Sequence, residues 1–372
     1  MAMAGLVMNS YKIVLLDGDG IGPEIMTEAV KILHLVASRN DVEFELVHAS
    51  FGASAYFELG HPFPDATKAL CDEADAILKG PIGLSHEESK KIPVDMQPER
   101  GALLPLRRRY NTFANIRPVF LPKGLAHFSP LKPEIIGDGI DFIIIRELVG
   151  GLYFGKKEAG VNAQGKRYVI ESLEYDEDQI AAIARVAFET AQKRKRVLHN
   201  IHKSNVLRSS VLWNEVMMEV AADYPDVEVV HILVDAAATY LCLNPGQFDV
   251  MVMENMFGDI LSDQAGGILG SLGLMPSACL GPDKAYYEPS HGSAPDIAGK
   301  NIANPYSMIG SVAMMLEMSF GMEQESKNLW QAMQSVFAQG NSTPDLSKPG
   351  DDVKMISTQA FGDLVAEELA KL

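Results

Sequence analysis

The stretch Asp249-Val-Met-Val-Met-Glu-Asn-Met-Phe-Gly-Asp-Ile-Leu-Ser-Asp-Gln-Ala-Gly-Gly-Ile-Leu-Gly-Ser-Leu-Gly273 joins a predicted strand to a predicted helix. Its apolar run 250–253 is typical of a buried strand, and the polar residues after it indicate a turn. Asp259 and Asp263 follow four residues apart, so both carboxylates lie on one face of the helix. Because open α/β sheets bind ligands at the carboxyl ends of their strands, this unit is a candidate binding site.

The two aspartates need compensation for their mutual repulsion. Like charges at this spacing destabilise a helix by about 0.2–0.5 kcal/mol. The helix dipole offsets part of this for Asp259, which lies near the helix start. A divalent cation would offset the rest, and carboxylate oxygens suit Mg²⁺ or Mn²⁺ rather than zinc. On spacing alone, two ordinary surface aspartates are the commoner interpretation.

Composition limits the classes to which this chain can belong. It has 372 residues, 47% of them hydrophobic, which favours two domains or one large α/β unit. The formal net charge of −17 argues against nucleic acid and anionic membrane surfaces as partners. The three cysteines show neither metal-ligand nor disulfide spacing, and residues 1–10 lack the pattern of a signal peptide. We therefore expect a cytoplasmic protein.

Strand and helix patterns alternate along the chain, which predicts an α/β fold with a largely parallel sheet. Strands are predicted at 11–16, 42–49, 76–79, 111–120, 141–146, 197–201, 227–234 and 250–253. Helices are predicted at 25–36, 66–74, 176–195, 211–223, 306–318, 327–338 and 358–369. Residues 85–99 and 284–305 have loop patterns, and 150–168 that of a hairpin arm. The glycines at 18, 20 and 22 have the spacing G-x-G-x-G, which is not the dinucleotide-binding fingerprint.

Three arginines lie in or directly after apolar segments and are candidates for binding carboxylates: Arg107, Arg117 and Arg146. A buried guanidinium needs an anionic partner, and its planar fork matches a carboxylate. For any one of them alone, a structural salt bridge is the favoured interpretation.

Tyr153 and Lys203 are candidates for a proton donor and a base. Tyr153 lies in a glycine-rich segment, and Lys203 follows a predicted strand. Nearby positive charges would favour the neutral amine of the lysine, which is the form that acts as a base. Asp235 ends another mostly apolar strand and could join Asp259 and Asp263 in a Mg²⁺ site. Each of these residues is individually more often an ordinary surface or core residue.

The segment His291-Gly-Ser-Ala-Pro-Asp-Ile-Ala-Gly-Lys-Asn-Ile-Ala-Asn304 is rich in glycine and small residues. Such residues let a ligand approach the backbone closely. The carboxylate of Asp296 could accept hydrogen bonds from a ribose diol and would repel a 2′-phosphate. A purely structural loop is about as compatible with this segment.

Taken together, these stretches resemble the β-decarboxylating dehydrogenases, the isocitrate and isopropylmalate dehydrogenase family. The resemblance runs from Gly18-Asp-Gly-Ile-Gly-Pro-Glu24 to the C-terminal helices, and Asn255-Met-Phe-Gly-Asp-Ile-Leu-Ser-Asp263 is similar to the family's metal-binding signature. It implies the two-domain fold of that family, with a mixed, largely parallel sheet and no Rossmann fold. The implied domains are a discontinuous cofactor-binding domain, 1–112 and 270–372, and a dimerisation and metal/substrate domain, 113–269, with an arm-like hairpin near 150–170.

The resemblance also implies an oxidative decarboxylation with NAD. By this resemblance, the substrate would be a dicarboxylate whose carboxylates are held by the three arginines, and Asp235, Asp259 and Asp263 would hold Mg²⁺ or Mn²⁺. Lys203 would accept the hydroxyl proton, and Tyr153 would protonate the carbon that loses CO₂. The family's active sites are shared within a homodimer, so Lys203 and Asp235 would come from the second subunit. The implied NAD contacts are Ile21, Glu99, His291, Gly292, Ser293, Ala294, Asp296, Ile297 and Asn304.

Substrate choice depends on an expected apolar wall formed by Leu103, Leu104 and Val206. Such a wall suits an isopropyl group, whereas a third carboxylate would be left unpaired against it at a high desolvation cost. We therefore expect (2R,3S)-3-isopropylmalate as the substrate, in leucine biosynthesis. An enzyme of the same family acting on tartrate, malate or homoisocitrate is the alternative.

Two interpretations from other classes are weaker. A Mg²⁺-diphosphate enzyme could use Asp-x-x-x-Asp as a clamp, but such enzymes are usually all-helical. A catalytically inactive regulatory dimer would not need the complete set of candidate residues. One departure from the family pattern is Lys79-Gly-Pro81, which stands where many relatives have two glycines before the proline.

Overall fold

The computed structural model describes residues 9–347 and 353–372. Residues 1–8, which form most of the segment predicted to contain no signal peptide, lie outside this part of the chain. The chain divides into two compact units. The first comprises Met1–Tyr110, Ser271–Ala278 and Asp283–Leu372, and the second comprises Asn111–Gly270 and Cys279–Pro282. The functional roles predicted for the two domains remain proposals.

The strands and helices alternate as an α/β fold requires. The strands are β1 Asn9–Leu16, β2 Val42–His48, β3 Ala76–Lys79, β4 Ala114–Pro122, β5 Gly139–Glu147, β6 Lys157–Val161, β7 Arg167–Glu171, β8 Val197–His202, β9 Glu228–Leu233, β10 Val250–Met253, β11 Pro276–Leu280, β12 Ala285–Pro289, β13 Asn341–Ser342 and β14 Lys354–Met355. The helices are α1 Gly22–Arg39, α2 Ala53–Leu59, α3 Asp65–Glu73, α4 His86–Ser89, α5 Leu104–Tyr110, α6 Pro133–Ile136, α7 Glu177–Gln192, α8 Arg208–Ala221, α9 Val234–Leu243, α10 Asn255–Leu269, α11 Tyr306–Met318, α12 Glu323–Ala338 and α13 Thr358–Leu369.

In the first unit the strand order is β2-β1-β3-β12-β11. Strand β1 pairs in parallel with β2 and β3, and β12 pairs in parallel with β3. Helix α11 is buried along nearly all of its length, from Tyr306 to Leu316. A helix that is apolar all round is typical of the interior of a large domain, so α11 forms part of the core of this unit.

In the second unit the order is β4-β5-β10-β8-β9. Strand β10 pairs in parallel with β5 and β8, β9 pairs in parallel with β8, and only β4 and β5 are antiparallel in this set. Buried residues of α7 and α8 pack with β8 and β10 in one apolar cluster. Helix α7 begins at a capping box in which Asp176 and Gln179 bond each other's backbone N–H groups. The predicted α/β fold with a mixed, largely parallel sheet is confirmed.

Several local predictions were wrong. The segment predicted as a loop at 85–99 contains α4, because Ser85 and Glu88 form a capping box, and a short 3₁₀ turn at Val94–Met96. The predicted loop 284–305 contains β12. Asp235 does not end a strand, because β9 stops at Leu233 and Asp235 lies in the first turn of α9.

The predicted hairpin arm forms as an antiparallel pair, β6 with β7. Its strands place Val161, Val169 and Ile170 in solvent, at exposed fractions of 65%, 70% and 52%. A two-stranded hairpin is marginally stable by itself.

Within the described residues, no helix is long and apolar enough to cross a bilayer.

Candidate functional site

Helix α10 holds the two aspartates that the sequence singles out. The buried strand β10 leads into it, and the side chain of Glu254 caps its start by accepting hydrogen bonds from Met256 N (3.3 Å) and Phe257 N (3.2 Å). Burial raises the pKa of Glu254. Gly258 is essential here, because a Cβ at this position would lie 2.4 Å from Cγ of Arg146. The absent side chain thus lets Arg146 extend along the helix.

Arg146 and Tyr153 meet at the carboxylate of Asp259. Nη1 of Arg146 lies 2.5 Å from Oδ1, and the hydroxyl of Tyr153 donates a hydrogen bond to Oδ2 over 2.6 Å. Asn255 fixes the guanidinium, since its Oδ1 accepts from Nε (3.2 Å) and Nη2 (2.8 Å). The structure therefore brings Asp259 together with Arg146 and Tyr153, which lie 113 and 106 residues before it in the sequence.

The hydroxyl of Tyr153 is suited to donating a proton rather than to being ionised. Burial is the largest cause of a rise in its pKa to about 12, and the hydrogen bond to Asp259 adds to it. The segment before it is anchored by Asn255, whose Nδ2 donates to the carbonyl of Gly150 over 3.0 Å. Glu147 accepts from the N–H of Gly150, and Tyr175 joins Glu147 to the backbone of Asn255. Sequence reasoning missed Glu147 and Tyr175, which belong to no recognised motif. It assigned no role to Asn255, although this residue begins the segment that is similar to the metal-binding signature.

Arg117 lies beside the second aspartate of the helix. Its Nη1 lies 3.8 Å from Oδ1 of Asp263 and 2.5 Å from the hydroxyl of Ser262, and its Nε donates to Asn115 over 2.7 Å. The pKa of Asp263 is raised, mainly by burial and also by Asp259, while Arg117 opposes the shift. Two carboxylate oxygen donors on one face of α10 fit a hard divalent cation such as Mg²⁺ or Mn²⁺.

Lys203 and Asp235 form a separate pair in the second unit. Nζ of Lys203 lies 2.6 Å from Oδ1 of Asp235, and this hydrogen bond lowers the pKa of that carboxyl. Over residues 9–347 and 353–372, no group of three or more His, Cys, Asp or Glu side chains is arranged to hold a metal ion. Asp235 is therefore not assembled with Asp259 and Asp263 into a complete metal site within one chain.

A cavity of about 470 Å³ lies in the first unit. It is lined by six of the predicted cofactor residues: Ile21, His291, Gly292, Ala294, Ile297 and Asn304. Nε2 of His291 is buried without a hydrogen-bond partner, and burial lowers the pKa of the ring. A mostly apolar cavity with a few polar groups is typical of cofactor sites, and these residues fit a planar heteroaromatic ring such as adenine.

The other three predicted cofactor residues are placed differently. The carbonyl of Ser293 accepts from Ile21 N over 2.8 Å and its hydroxyl donates to the carbonyl of Gly83, so Ser293 joins two loops. Asp296 and Glu99 are exposed and do not line this cavity. Asp345, which sequence reasoning missed, does line it and accepts from Ser271 (2.5 Å) and Asn304 (3.2 Å).

The glycine-rich turn after β1 is organised by a buried carboxylate. Asp19 accepts from the N–H groups of Ala53, Ser54 and Gly83 at 2.9–3.0 Å. Gly20 has a positive φ, and a Cβ there would lie 2.0 Å from the carbonyl oxygen of Ser293. The turn therefore packs against the segment that lines the cavity.

Arg107, the third predicted arginine, belongs to the first unit and is buried. Its Nε donates to the hydroxyl of Tyr286 over 3.1 Å, and its Nη2 lies 3.8 Å from Glu288. Leu103 and Leu104 at the start of the same helical segment are partly buried, and Val206 in the second unit is 70% exposed. The predicted apolar wall remains a proposal.

Comparisons with known proteins agree with this geometry. The family model described as isocitrate/isopropylmalate dehydrogenase matches residues 12–365. A 3-isopropylmalate dehydrogenase of Thermotoga maritima is 46% identical over 361 residues, 97% of this chain and 99% of that protein. One of Chromobacterium violaceum is 47% identical over 356 residues, 95% of this chain and 99% of that protein. The crystal structure of isocitrate dehydrogenase from Methylococcus capsulatus superposes with a TM-score of 0.85 at 33% identity, covering 96% of this chain and 99% of that one.

The mixed sheet, the paired aspartates of α10 and the arginines beside them thus define a dehydrogenase of the β-decarboxylating class. The chain belongs to the isocitrate/isopropylmalate dehydrogenase family.

Proposed function

We propose that the protein catalyses the NAD-dependent oxidative decarboxylation of (2R,3S)-3-isopropylmalate to 2-oxo-4-methylpentanoate, a step of leucine biosynthesis. The observation that carries the chemistry is the cluster of Arg146, Tyr153 and Asp259, which joins a carboxylate-binding cation, a proton donor and a metal-binding oxygen. Similarity to 3-isopropylmalate dehydrogenases over nearly the full length supports this substrate rather than tartrate, malate or homoisocitrate.

The residues have distinct roles in the proposed reaction. Arg107, Arg117 and Arg146 bind the two substrate carboxylates. Lys203 accepts the proton of the C2 hydroxyl while hydride passes from C2 to NAD⁺. The bond from C3 to its carboxylate then breaks with release of CO₂, and the hydroxyl of Tyr153 delivers a proton to C3. Atoms and charge balance, with NADH, CO₂ and the 2-oxo acid as products.

Mg²⁺ or Mn²⁺ would be held by Asp259 and Asp263 of one chain and by Asp235 of a second chain. When bound, such a cation supplies Lewis-acid stabilisation of the negative charge that develops on the substrate oxygen. The separation of Asp235 from a complete metal cluster supports a site shared between two chains.

A homodimer is proposed for the same reason and from surface composition. The second unit exposes large apolar side chains on α8, α9 and α10: Val211, Met218, Tyr240, Leu243 and Ile260. Exposed apolar residues on three consecutive helices, together with the hairpin of the same unit, support a subunit interface. The substrate-side residues Leu103, Leu104 and Val206 form the proposed apolar wall.

For NAD, the first unit supplies the cavity lined by His291 and its neighbours, with Asp296 and Glu99 as further contacts. The carboxylate of Asp296 would favour a ribose diol over a 2′-phosphate.

The cysteines Cys71, Cys242 and Cys279 are unbridged, which supports a reducing, cytoplasmic location.

The test is a comparison of kcat/KM for 3-isopropylmalate, isocitrate, malate and tartrate, followed as NADH formation with NAD⁺ and Mg²⁺. A preference of at least about 100-fold for 3-isopropylmalate is expected, because the competitors lack the isopropyl group or leave a carboxylate unpaired. A preference for isocitrate or malate would overturn the substrate assignment while retaining the reaction class.

A further inference from the structure

Lys79, the residue at which the sequence departs from the family pattern, is a buried cation. It ends β3 with a side chain that is only 1% exposed. Its Nζ lies 2.6 Å from Oε2 of Glu288 and donates to the carbonyl of Gly80 over 2.8 Å. Lysine is almost never fully buried without a partner, so the pairing with Glu288 explains how this residue is tolerated in the interior.

Glu288 is shared between two cations. Its Oε2 contacts Lys79, while its Oε1 lies 3.8 Å from Nη2 of Arg107, and all three side chains are at most 7% exposed. Of the two contacts that Glu288 makes here, the one with Lys79 is the shorter. With both bases and the acid ionised, these three side chains carry a net charge of +1. The low effective dielectric constant of a buried site makes the electrostatic interactions between these charges stronger than they would be at the surface.

We propose that Lys79 is a positioning residue that neutralises Glu288 and thereby preserves the positive potential of Arg107 for a substrate carboxylate. The inference rests on the proposed function only in that Arg107 is taken to bind that carboxylate. Without Lys79, Arg107 is the remaining cation of this cluster beside the carboxylate of Glu288. Glu288 would then pair directly with Arg107 and compete with the substrate.

Under this proposal, substrate affinity depends on the net charge of Lys79, Glu288 and Arg107 and not on the presence of any one of these side chains. Lys79→Met leaves Glu288 and Arg107 with a net charge of zero. The double variant Lys79→Met/Glu288→Gln restores +1 although one more side chain is altered. Glu288→Gln alone gives +2. Substrate binding should therefore weaken in the first variant, recover in the second, and be equal or tighter in the third.

A purely structural role predicts a different pattern. Removing one partner of a buried ion pair destabilises a protein strongly, and a general loosening would affect NAD and substrate binding together. Thermal unfolding of each variant therefore accompanies every binding measurement, which is made at a temperature where all variants are folded.

The experiment is isothermal titration calorimetry of 3-isopropylmalate and of malate to the full-length protein and its variants, with NAD⁺ as a separate ligand. We expect Lys79→Met to raise the dicarboxylate Kd about tenfold or more and the NAD⁺ Kd less than about twofold. The double variant should return the dicarboxylate Kd to within about threefold of wild type. An unchanged Kd in Lys79→Met, or no recovery in the double variant, would overturn the proposal.

Glu288→Gln and the malate titration decide the cases in which Lys79→Met does not fold or 3-isopropylmalate is not the substrate. If Lys79→Met does not fold, Glu288→Gln decides, because a raised dicarboxylate Kd in that variant contradicts the charge account and an equal or lower Kd supports it. If wild type binds and turns over malate but not 3-isopropylmalate, the proposed function fails. The same charge pattern in malate binding would still support the role of Lys79.

Discussion

The hydroxyl of Tyr153 donates a hydrogen bond of 2.6 Å to Oδ2 of Asp259, whose other oxygen faces Nη1 of Arg146 at 2.5 Å. The proposed proton donor is thus fixed against a carboxylate proposed to bind metal. Burial and this contact raise the pKa of Tyr153 to about 12, so the hydroxyl carries its proton at neutral pH. This relationship gives the proposed reaction its final step, the protonation of C3.

Tyr153→Phe is expected to lower kcat about 10²–10⁴-fold while changing the KM for 3-isopropylmalate much less, because it removes an acid and leaves the arginines in place. Steady-state NADH formation and quantification of the 2-oxo acid measure this. The matched control is Tyr224→Phe, a tyrosine that stacks on Phe188 in the same unit and lies outside the proposed site. Wild-type turnover in Tyr153→Phe would remove this residue from the mechanism.

Mixing two inactive variants tests whether the site is shared between subunits. In the proposed homodimer, Lys203→Met and Tyr153→Phe each remove one of the two proposed catalytic residues. A heterodimer of the two has one site in which Tyr153 of the first chain meets Lys203 of the second. After dissociation and random reassociation, half of the dimers are mixed and half of their sites are intact, so about a quarter of wild-type activity should return. Mixing each variant with itself is the control, and no recovery in the mixture would place Lys203 and Tyr153 in the same site of one chain.

Asp72 should stabilise the first unit in a pH-dependent way. It accepts from Nε (2.9 Å) and Nη2 (2.5 Å) of Arg109 and from the hydroxyl of Tyr110 (2.8 Å), and the hydrogen bond from Arg109 is the main cause of its lowered pKa. A carboxyl with a lowered folded-state pKa adds stability above its unfolded value of 3.8, and this stability is lost as the pH falls through the folded-state pKa. Since both side chains are over 40% exposed, solvent screening limits the effect.

We therefore expect Asp72→Asn to lower the free energy of unfolding by about 0.5–1 kcal/mol near pH 7, and by progressively less below about pH 4. Urea unfolding of wild type and Asp72→Asn, near pH 7 and below about pH 4, measures this difference in the free energy of unfolding. Asp138→Asn is the matched control, because Asp138 pairs with Lys123 at 2.7 Å but the two side chains are 96% and 71% exposed. A difference between wild type and Asp72→Asn that stays constant into acid would contradict the assignment.

The sequence predicted the elements whose patterns are locally complete. The apolar run of β10 followed by the four-residue spacing of Asp259 and Asp263 was sufficient for the strand and helix. Helix α9 was missed because Val234–Leu243 is apolar on nearly every side and directly follows a strand, so no polar face distinguishes it.

Long-range contacts limited prediction of the site. The pairing of Lys79 with Glu288, and the position of Asp345 on the cavity, depend on the fold joining distant segments, which no local spacing reveals. Asp345 also lies in no motif that the sequence offers. By contrast, the arginines and Tyr153 could be proposed from local pattern and resemblance together, although their mutual contacts could not.

The most direct test of the central claim is the stoichiometry of NADH and CO₂ released from 3-isopropylmalate by the purified protein with NAD⁺ and Mg²⁺. The account predicts one CO₂ for each NADH, with 2-oxo-4-methylpentanoate as the organic product. NADH without CO₂ would show a simple alcohol oxidation, and formation of neither would contradict the proposed function.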